Sequence, residues 1–181
     1  MNLTVKPVLM GKAVLLRPFT TNDLPLIERC LKDPEVLKLT GSEANFDRET
    51  LKTWYGTRHD QPDRLDLAVI DRVSDTLAGE VVVNDYQSHD HSMNFRILIG
   101  KAGRNRGLGT EATRILIDYL FQQTSLARLT LSVFDFNSRA QRVYEKLGFQ
   151  VIGEEQDDLK VDGRRVDSIL MALTREHYLK K

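Results

Sequence analysis

A strand, a glycine-rich loop and a helix follow one another directly within residues 94–110, and this unit constrains the fold most. The apolar stretch 95–99 has a strand-like pattern, and the loop 101–109 is basic and glycine-rich. Apolar residues then recur with the spacing of one helical face, at Leu108, Ala112, Ile115, Leu116, Tyr119 and Leu120. Such a unit directs backbone N–H groups and the positive end of a helix dipole at one point, which favours a phosphate group.

Composition limits the classes of protein that need to be considered. The chain has 181 residues, of which 41% are apolar and 29% charged, and its formal net charge is zero. We therefore expect one domain covering residues 1–181, with no nucleic-acid partner. No apolar run approaches the roughly 20 residues of a membrane helix, so no membrane partner is expected. The single cysteine, Cys30, fits the reducing cytoplasm.

The order of the elements predicts a mixed α/β domain. Strand candidates at residues 67–70, 77–86 and 94–99 follow one another as antiparallel hairpins, and the helix after residue 108 then crosses to a strand at residues 129–134. This crossover should make the strands at 94–99 and 129–134 parallel neighbours. A Rossmann domain is the competing fold, but its glycine loop lies near the start of a repeating βαβ series.

Two motifs resemble those of the GCN5-related N-acetyltransferases, the GNAT family. The segment 104–109, RNRGLG, fits the family's Q/R-x-x-G-x-G/A loop. The second motif, N-x-x-A-x-x-x-Y-x-x-x-G-F, is matched by Asn137, Ala140, Tyr144, Gly148 and Phe149. The resemblance implies a single α/β (α+β) domain whose mixed, mostly antiparallel sheet is flanked by helices. It also implies that the two central parallel strands splay apart.

The segments 107–112, GLGTEA, and 144–149, YEKLGF, resemble those of the ribosomal-protein N-terminal (RimJ/RimL-like) acetyltransferases and their relatives. Those relatives act on polyamines, antibiotics or free amino groups. The chain departs from that subgroup in three places. Many members have Glu-Ile-Gly-Tyr at residues 94–97, proline at Lys101 and, in ribosomal-protein enzymes, serine at Ala140. These departures weaken the inference to a ribosomal substrate.

The resemblance implies that acetyl-coenzyme A is the acetyl donor and that no metal takes part. Backbone groups of the central strand would pair with the pantetheine arm, and the loop would hold the pyrophosphate, with charge added by the loop arginines. The implied cofactor-binding residues are Ile97, Leu98, Ile99, Arg104, Asn105, Arg106, Gly107, Leu108, Gly109, Thr110, Asn137, Ala140 and Tyr144. Asn137 could equally be a plain helix cap.

In the implied reaction a primary amine attacks the thioester directly, within a ternary complex. A backbone N–H close to Ile99 would stabilise the oxyanion. Tyr144 is the candidate acid for the leaving thiolate, because a phenol is protonated at neutral pH, although its spacing also fits a core aromatic. Glu80 is the first candidate base, acting through a water, and an exposed strand position is the alternative. Weaker candidates are Asp85, Asp90 and His91.

Several functional questions stay open at this point. The acceptor is an amine-bearing small molecule or a protein N-terminus, and polyamine and antibiotic acetylation are alternatives. A non-catalytic acyl-coenzyme A sensor, or a structural domain that kept only the fold, would carry the same motifs, and a homodimer is an open possibility. The acidic run 154–158 could attract a cationic amine or be a solvated hairpin, and His89–Asp90–His91 is expected to be a solvated loop rather than a metal site.

Overall fold

One sheet of eight strands organises the protein in the computed structural model, which describes residues 2–42, 46–161 and 163–180. The strands lie in the order β1-β2-β3-β4-β5-β6-β8-β7, and all neighbours are antiparallel except β5 and β6. Their bounds are Leu9–Met10 (β1), Val14–Arg17 (β2), Leu65–Asp71 (β3), Thr76–Gln87 (β4), Ser92–Ile99 (β5), Arg128–Phe134 (β6), Gln150–Val161 (β7) and Arg164–Thr174 (β8).

Six helices accompany the sheet in the described ranges. Their bounds are Leu24–Leu31 (α1), Pro34–Thr40 (α2), Arg48–Thr57 (α3), Leu108–Gln123 (α4), Ser138–Leu147 (α5) and Arg175–Leu179 (α6). The helix ends follow local sequence signals. Asp33 and Asp47 cap α2 and α3 by accepting backbone N–H groups, and Gly148 ends α5 in the left-handed conformation with a φ of 105°. No helix of the described chain is long and apolar enough to cross a membrane.

The pleat of the sheet divides the core into two parts. Successive strand residues point to opposite faces, so each strand contributes to both parts. The larger part packs α4 and α5 against one face, around Val81, Phe95 and Leu116. The smaller part packs α1 and α3 against the other face, around Ile27 and Ala68. We call these the α4/α5 face and the α1/α3 face.

The parallel pair β5–β6 separates shortly after it begins. Its register contains only Ser92 opposite Arg128, Met93 opposite Leu129 and Asn94 opposite Thr130. Beyond that point β5 stays paired with β4 as far as Ile99, and β6 stays paired with β8 as far as Phe134. The gap between residues 95–99 and 131–134, here called the splay, leaves the backbone groups that face it outside any strand pairing within the described chain. The predicted parallel neighbours and their separation are both observed.

The two ends of the sheet differ most from the sequence prediction. The short β1 was not predicted, and β7 and β8 extend beyond residues 150–153 and 166–173, the stretches where the sequence alone favours a strand. The acidic run 154–158 therefore lies within β7. This edge strand is exposed along most of its length and its register shifts between Glu155 and Leu159, with Asp157 at a φ of 55°. An irregular edge strand lacks the alternation by which strands are recognised.

Gly79 provides a test of how closely β4 and β5 approach. A Cβ added there would lie 1.9 Å from the carbonyl oxygen of Leu98, which is backbone and cannot move aside alone. We expect Gly79→Ala to lower the free energy of unfolding by about 1–3 kcal/mol, the usual cost of overpacking. The matched control is Gly56→Ala on α3, where an added Cβ meets no described atom within 4 Å and should stabilise by up to about 1 kcal/mol. Urea unfolding measures both; equal stability of the two variants would contradict the prediction.

Candidate active site

The loop between β5 and α4 prepares the start of α4 for an anion. Gly107, the residue before α4, has a φ of 75°, a conformation that glycine adopts without strain. The first helical hydrogen bond runs from the N–H of Glu111 to the carbonyl of Gly107, so the N–H groups of Leu108, Gly109 and Thr110 precede the helical ladder. No described side chain caps this end. Three N–H groups and the helix dipole are therefore available to one phosphate group.

Gly107 and Gly109 are needed at the start of α4 for different physical reasons. A Cβ added at Gly107 would meet no described atom within 4 Å, so the space above this residue is open. A Cβ added at Gly109 would lie 3.2 Å from Cγ1 of Ile99. Gly109 therefore lets α4 pack closely on β5, whereas Gly107 supplies the turn and leaves room for a ligand.

The loop arginines are engaged with acidic side chains. Arg104 Nη1 lies 2.6 Å from Oε2 of Glu35, its Nη2 lies 2.9 Å from Oδ2 of Asp33, and its Nε donates to the carbonyl of Ile99. Arg106 Nη1 donates to Oδ2 of Asp71 at 2.7 Å, and this hydrogen bond holds the pKa of the Asp71 carboxyl below its usual range. Much of the arginine charge is thus balanced within the protein, and the backbone is the part of the loop best presented to a phosphate.

Asn137 begins α5 where β6 ends. Its Oδ1 accepts the N–H of Ala140 at 3.2 Å, so the capping role is observed. Within the described chain no hydrogen bond involves its Nδ2, which leaves that donor for a ligand. The predicted contact of Asn137 with the pantetheine arm stays a prediction, and Ala140, one turn into α5, is half-buried.

Tyr144 projects from α5 into the core of the α4/α5 face. Its ring is 8% exposed and meets Phe95 edge-on, with the ring centroids 6.2 Å apart. Burial raises the pKa of Tyr144 to about 12, so the phenol stays protonated at neutral pH. Within the described ranges its hydroxyl makes no hydrogen bond. A buried, protonated phenol without an internal partner is suited to donate to a ligand atom.

Glu80 lies on the α1/α3 face, opposite to Tyr144, and belongs to β4, the strand next to β5. It stands opposite Leu98 of β5 and Ala68 of β3 on the α1/α3 face, and only 6% of it is exposed. Tyr55 of α3 donates its hydroxyl to Oε2 of Glu80 at 2.9 Å. Burial raises the pKa of the Glu80 carboxyl, although the Tyr55 hydrogen bond and Arg96 oppose the rise. The alternative of an exposed strand residue is therefore wrong, and Tyr55 is a partner that sequence reasoning missed.

The weaker base candidates lie elsewhere. Asp85, Asp90 and His91 belong to the β4–β5 hairpin, at the start of β5, whereas the loop and the splay are at its end. Asp90 accepts from Ser92, and Nδ1 of His91 lies 2.6 Å from the hydroxyl oxygen of Tyr86. In the part of the chain that the structure describes, no group of three or more His, Cys, Asp or Glu residues is arranged to hold a metal ion.

Comparison with known proteins decides the family. The family model described as acetyltransferase (GNAT) domain matches residues 13–150. The chain belongs to the GNAT acetyltransferase family. The prediction from the two motifs is confirmed at this level, and the protein transfers the acetyl group of acetyl-coenzyme A to an amine. The RimJ/RimL-like subgroup stays a prediction.

Relatives cover nearly the whole chain. The spermidine N(1)-acetyltransferase of Escherichia coli K12 is 29% identical over 169 residues, which are 92% of this chain and 89% of that protein. An N-acetyltransferase 9-like protein of Nematostella vectensis is 24% identical, over 98% and 97% of the two chains. Among solved structures, the spermidine N-acetyltransferase of Vibrio cholerae in complex with CoA and spermine has a TM-score of 0.86 at 22% identity, covering 93% and 99%.

The geometry of this GNAT chain fits acetyl-coenzyme A. The open space at Gly107 and the free N–H groups of α4 suit the pyrophosphate, and the unpaired backbone of the splay suits the amides of a pantetheine arm. When bound, the cofactor would supply the activated acetyl group. That these residues bind and orient the cofactor stays a prediction.

Gly107 tests the phosphate site with a matched control elsewhere in the chain. Gly107→Ala should weaken acetyl-coenzyme A binding by about tenfold or more, because its Cβ enters the open space and strains the turn. Gly163, just before β8, has a φ of 80° and equally open surroundings. Gly163→Ala should therefore cost a similar ~1 kcal/mol of stability without changing affinity. Isothermal titration calorimetry on both folded variants checks this, and equal losses of affinity would show that strain alone is responsible.

Proposed function

We propose that the amine acetylated by this protein belongs to a linear polyamine. The observation that carries the proposal is a run of acidic residues on β7, the edge strand that lies beyond β8 from β6. These side chains are exposed, and no ion pair engages them among the residues that the structure describes; they are Glu154, Glu155, Asp157 and Asp158. An acceptor with several ammonium groups would be attracted and oriented by such a surface.

The position of this acidic surface follows from contacts at Gly41. A Cβ added at Gly41 would lie 2.2 Å from Cδ2 of Leu159 and 3.0 Å from Cζ of Phe134. The end of α2, the residue directly after the acidic run of β7 and the end of β6 therefore meet. Phe134 is the last residue of β6, on the side where β5 and β6 have separated. The name of the spermidine-acetylating relative in Escherichia coli supports the same class of acceptor.

The proposed mechanism uses the two faces of the sheet. A thioester held in the splay would have Glu80 on the α1/α3 side and Tyr144 on the α4/α5 side. Glu80, its pKa raised, takes a proton from the ammonium group through a water, so that the neutral amine can attack the carbonyl carbon. A backbone N–H close to Ile99 stabilises the oxyanion, and the Tyr144 hydroxyl gives its proton to the departing thiolate.

Tyr144→Phe tests the acid. The variant keeps the ring and its packing against Phe95, so melting temperature and cofactor affinity should change little. Turnover should fall by about 10²-fold, because the thiolate loses its proton donor. With a pKa of about 12, Tyr144 stays protonated in the wild type, so it should produce no loss of activity on the alkaline side below about pH 11. Steady-state kinetics of thiol release measures both effects.

Tyr178→Phe is the control for that change. The Tyr178 hydroxyl donates to Oδ1 of Asp118 at 2.9 Å, so its removal should cost about 1 kcal/mol of stability and leave turnover unchanged. If Tyr144→Phe behaves like Tyr178→Phe, losing stability but not activity, Tyr144 is a core aromatic and the proposed acid is wrong.

A panel of acceptors tests the substrate class. Spermidine and spermine should give kcat/KM values at least about tenfold above those of a mono-amine and of an N-terminal peptide. Glu154→Gln/Glu155→Gln should raise KM for spermidine by several-fold and reduce its salt dependence. Glu176→Gln on α6 removes one carboxylate far from the splay and should change neither. Preference for the peptide would overturn the polyamine proposal, and release of no thiol with any acceptor would favour a sensor.

A further inference from the structure

Tyr55 approaches the proposed base through one hydrogen bond within a buried part of the α1/α3 face. The phenol reaches Oε2 of Glu80 at 2.9 Å, while its ring packs on Phe19 with centroids 4.7 Å apart. The apolar residues around it belong to the α1/α3 face, including Ile27 and Ala68. A hydrogen bond buried in such surroundings is strong and fixes the orientation of both groups.

The hydrogen bond from Tyr55 makes the two carboxylate oxygens of Glu80 chemically inequivalent. Oε2 accepts from Tyr55, and within the described ranges no hydrogen bond reaches Oε1. A carboxylate held in this way can take a proton on Oε1 while Oε2 keeps its donor. The proton's path then balances: an N–H bond of the ammonium group breaks, a water passes its own proton on, and an O–H bond forms at Oε1.

Other charged groups around Glu80 come from several elements. Arg96 on β5 is exposed and favours the carboxylate; Asp66 on β3 opposes it, but is itself bound by Arg64 with an Nε–Oδ2 distance of 2.6 Å. Cys30 on α1 also lies near enough for Glu80 to raise the pKa of its thiol. None of these groups makes a hydrogen bond to Glu80 in the described chain, so Tyr55 is the contact that sets its orientation.

We propose that Tyr55 is a positioning residue for the acetyl transfer, which holds Glu80 so that Oε1 faces the proton to be removed. This inference rests on the proposed role of Glu80 as base. The phenol stays neutral throughout, because burial and the neighbouring Glu80 raise the pKa of Tyr55 well above its usual value. Tyr55 therefore acts through Glu80 and takes no proton itself.

The test compares pH–rate profiles of kcat/KM. Glu80 must be ionised to act, so wild-type activity should rise with pH through the carboxyl's pKa. Tyr55→Phe keeps the ring on Phe19 but removes the donor that favours the carboxylate, so the rise should move to higher pH. At pH 6 its kcat/KM should fall by about tenfold, the equivalent of one charge-assisted hydrogen bond, and most of the loss should be recovered at pH 9.

Two further variants distinguish a wrong positioning role for Tyr55 from a wrong base role for Glu80. Glu80→Gln should abolish the rise through the carboxyl's pKa, leaving only a weaker activity that grows with the fraction of neutral amine, and Tyr55→Phe added to Glu80→Gln should have no further effect. Tyr86→Phe, which removes a phenol hydroxyl that contacts His91 at the far hairpin, should leave the profile unchanged. If Glu80→Gln abolishes the rise but Tyr55→Phe does not move it, the positioning role is wrong and the base stands. If Glu80→Gln leaves the profile intact, the base itself is wrong, and Tyr55 with it.

Discussion

The site depends on the early separation of the single parallel strand pair. Parallel strands need a crossover, which here is α4, and the same crossover brings the glycine loop to the end of β5. Three residue pairs join β5 and β6 before they diverge. The rest of each strand is held on its other side, by β4 and by β8. A gap of this kind inside a sheet exposes backbone hydrogen-bonding groups without destabilising the sheet as a whole, because the outer pairings remain.

The pleat then places the proposed base and the proposed acid on opposite faces of the sheet. Even-numbered positions of β4 and β5 bring Glu80 and Leu98 to the α1/α3 face, whereas odd-numbered positions bring Val81 and Phe95 to the α4/α5 face with Tyr144. Two groups that must not neutralise each other are thereby separated by the sheet. Each is buried, and in both cases burial raises the pKa. For Glu80 that makes a stronger base, and for Tyr144 it keeps an acid protonated.

The sequence was sufficient to predict those features that depend on residues close together in the chain. The glycine at position 107, the apolar face of α4 and the cap at Asn137 are each defined by neighbours within a few residues, and all three are observed. Contacts between distant segments were not predictable in this way. Nothing near Arg104 indicates that its partners would be Asp33 and Glu35 on another helix. The spacing of Leu51, Trp54 and Tyr55 predicts only an apolar helix face, because the polar partner of Tyr55 comes from a strand 25 residues later. The proposed homodimer and cytoplasmic location stay predictions.

The ion pairs of Arg104 have a consequence for how the loop meets its ligand. One guanidinium ties the loop to the N-terminal turn of α2 through Asp33 and Glu35, and only 9% of the arginine side chain is exposed. The loop is thus shaped by the folded protein rather than by the ligand, and the entropy of ordering it is lost during folding instead of on binding. The helix next to the proposed acceptor surface and the loop proposed to hold the donor's phosphates are therefore joined by ion pairs. Arg139 of α5 reinforces this link, since it donates to Oδ1 of Asn105 in the loop and its Nη2 lies 3.4 Å from Oε1 of Glu35.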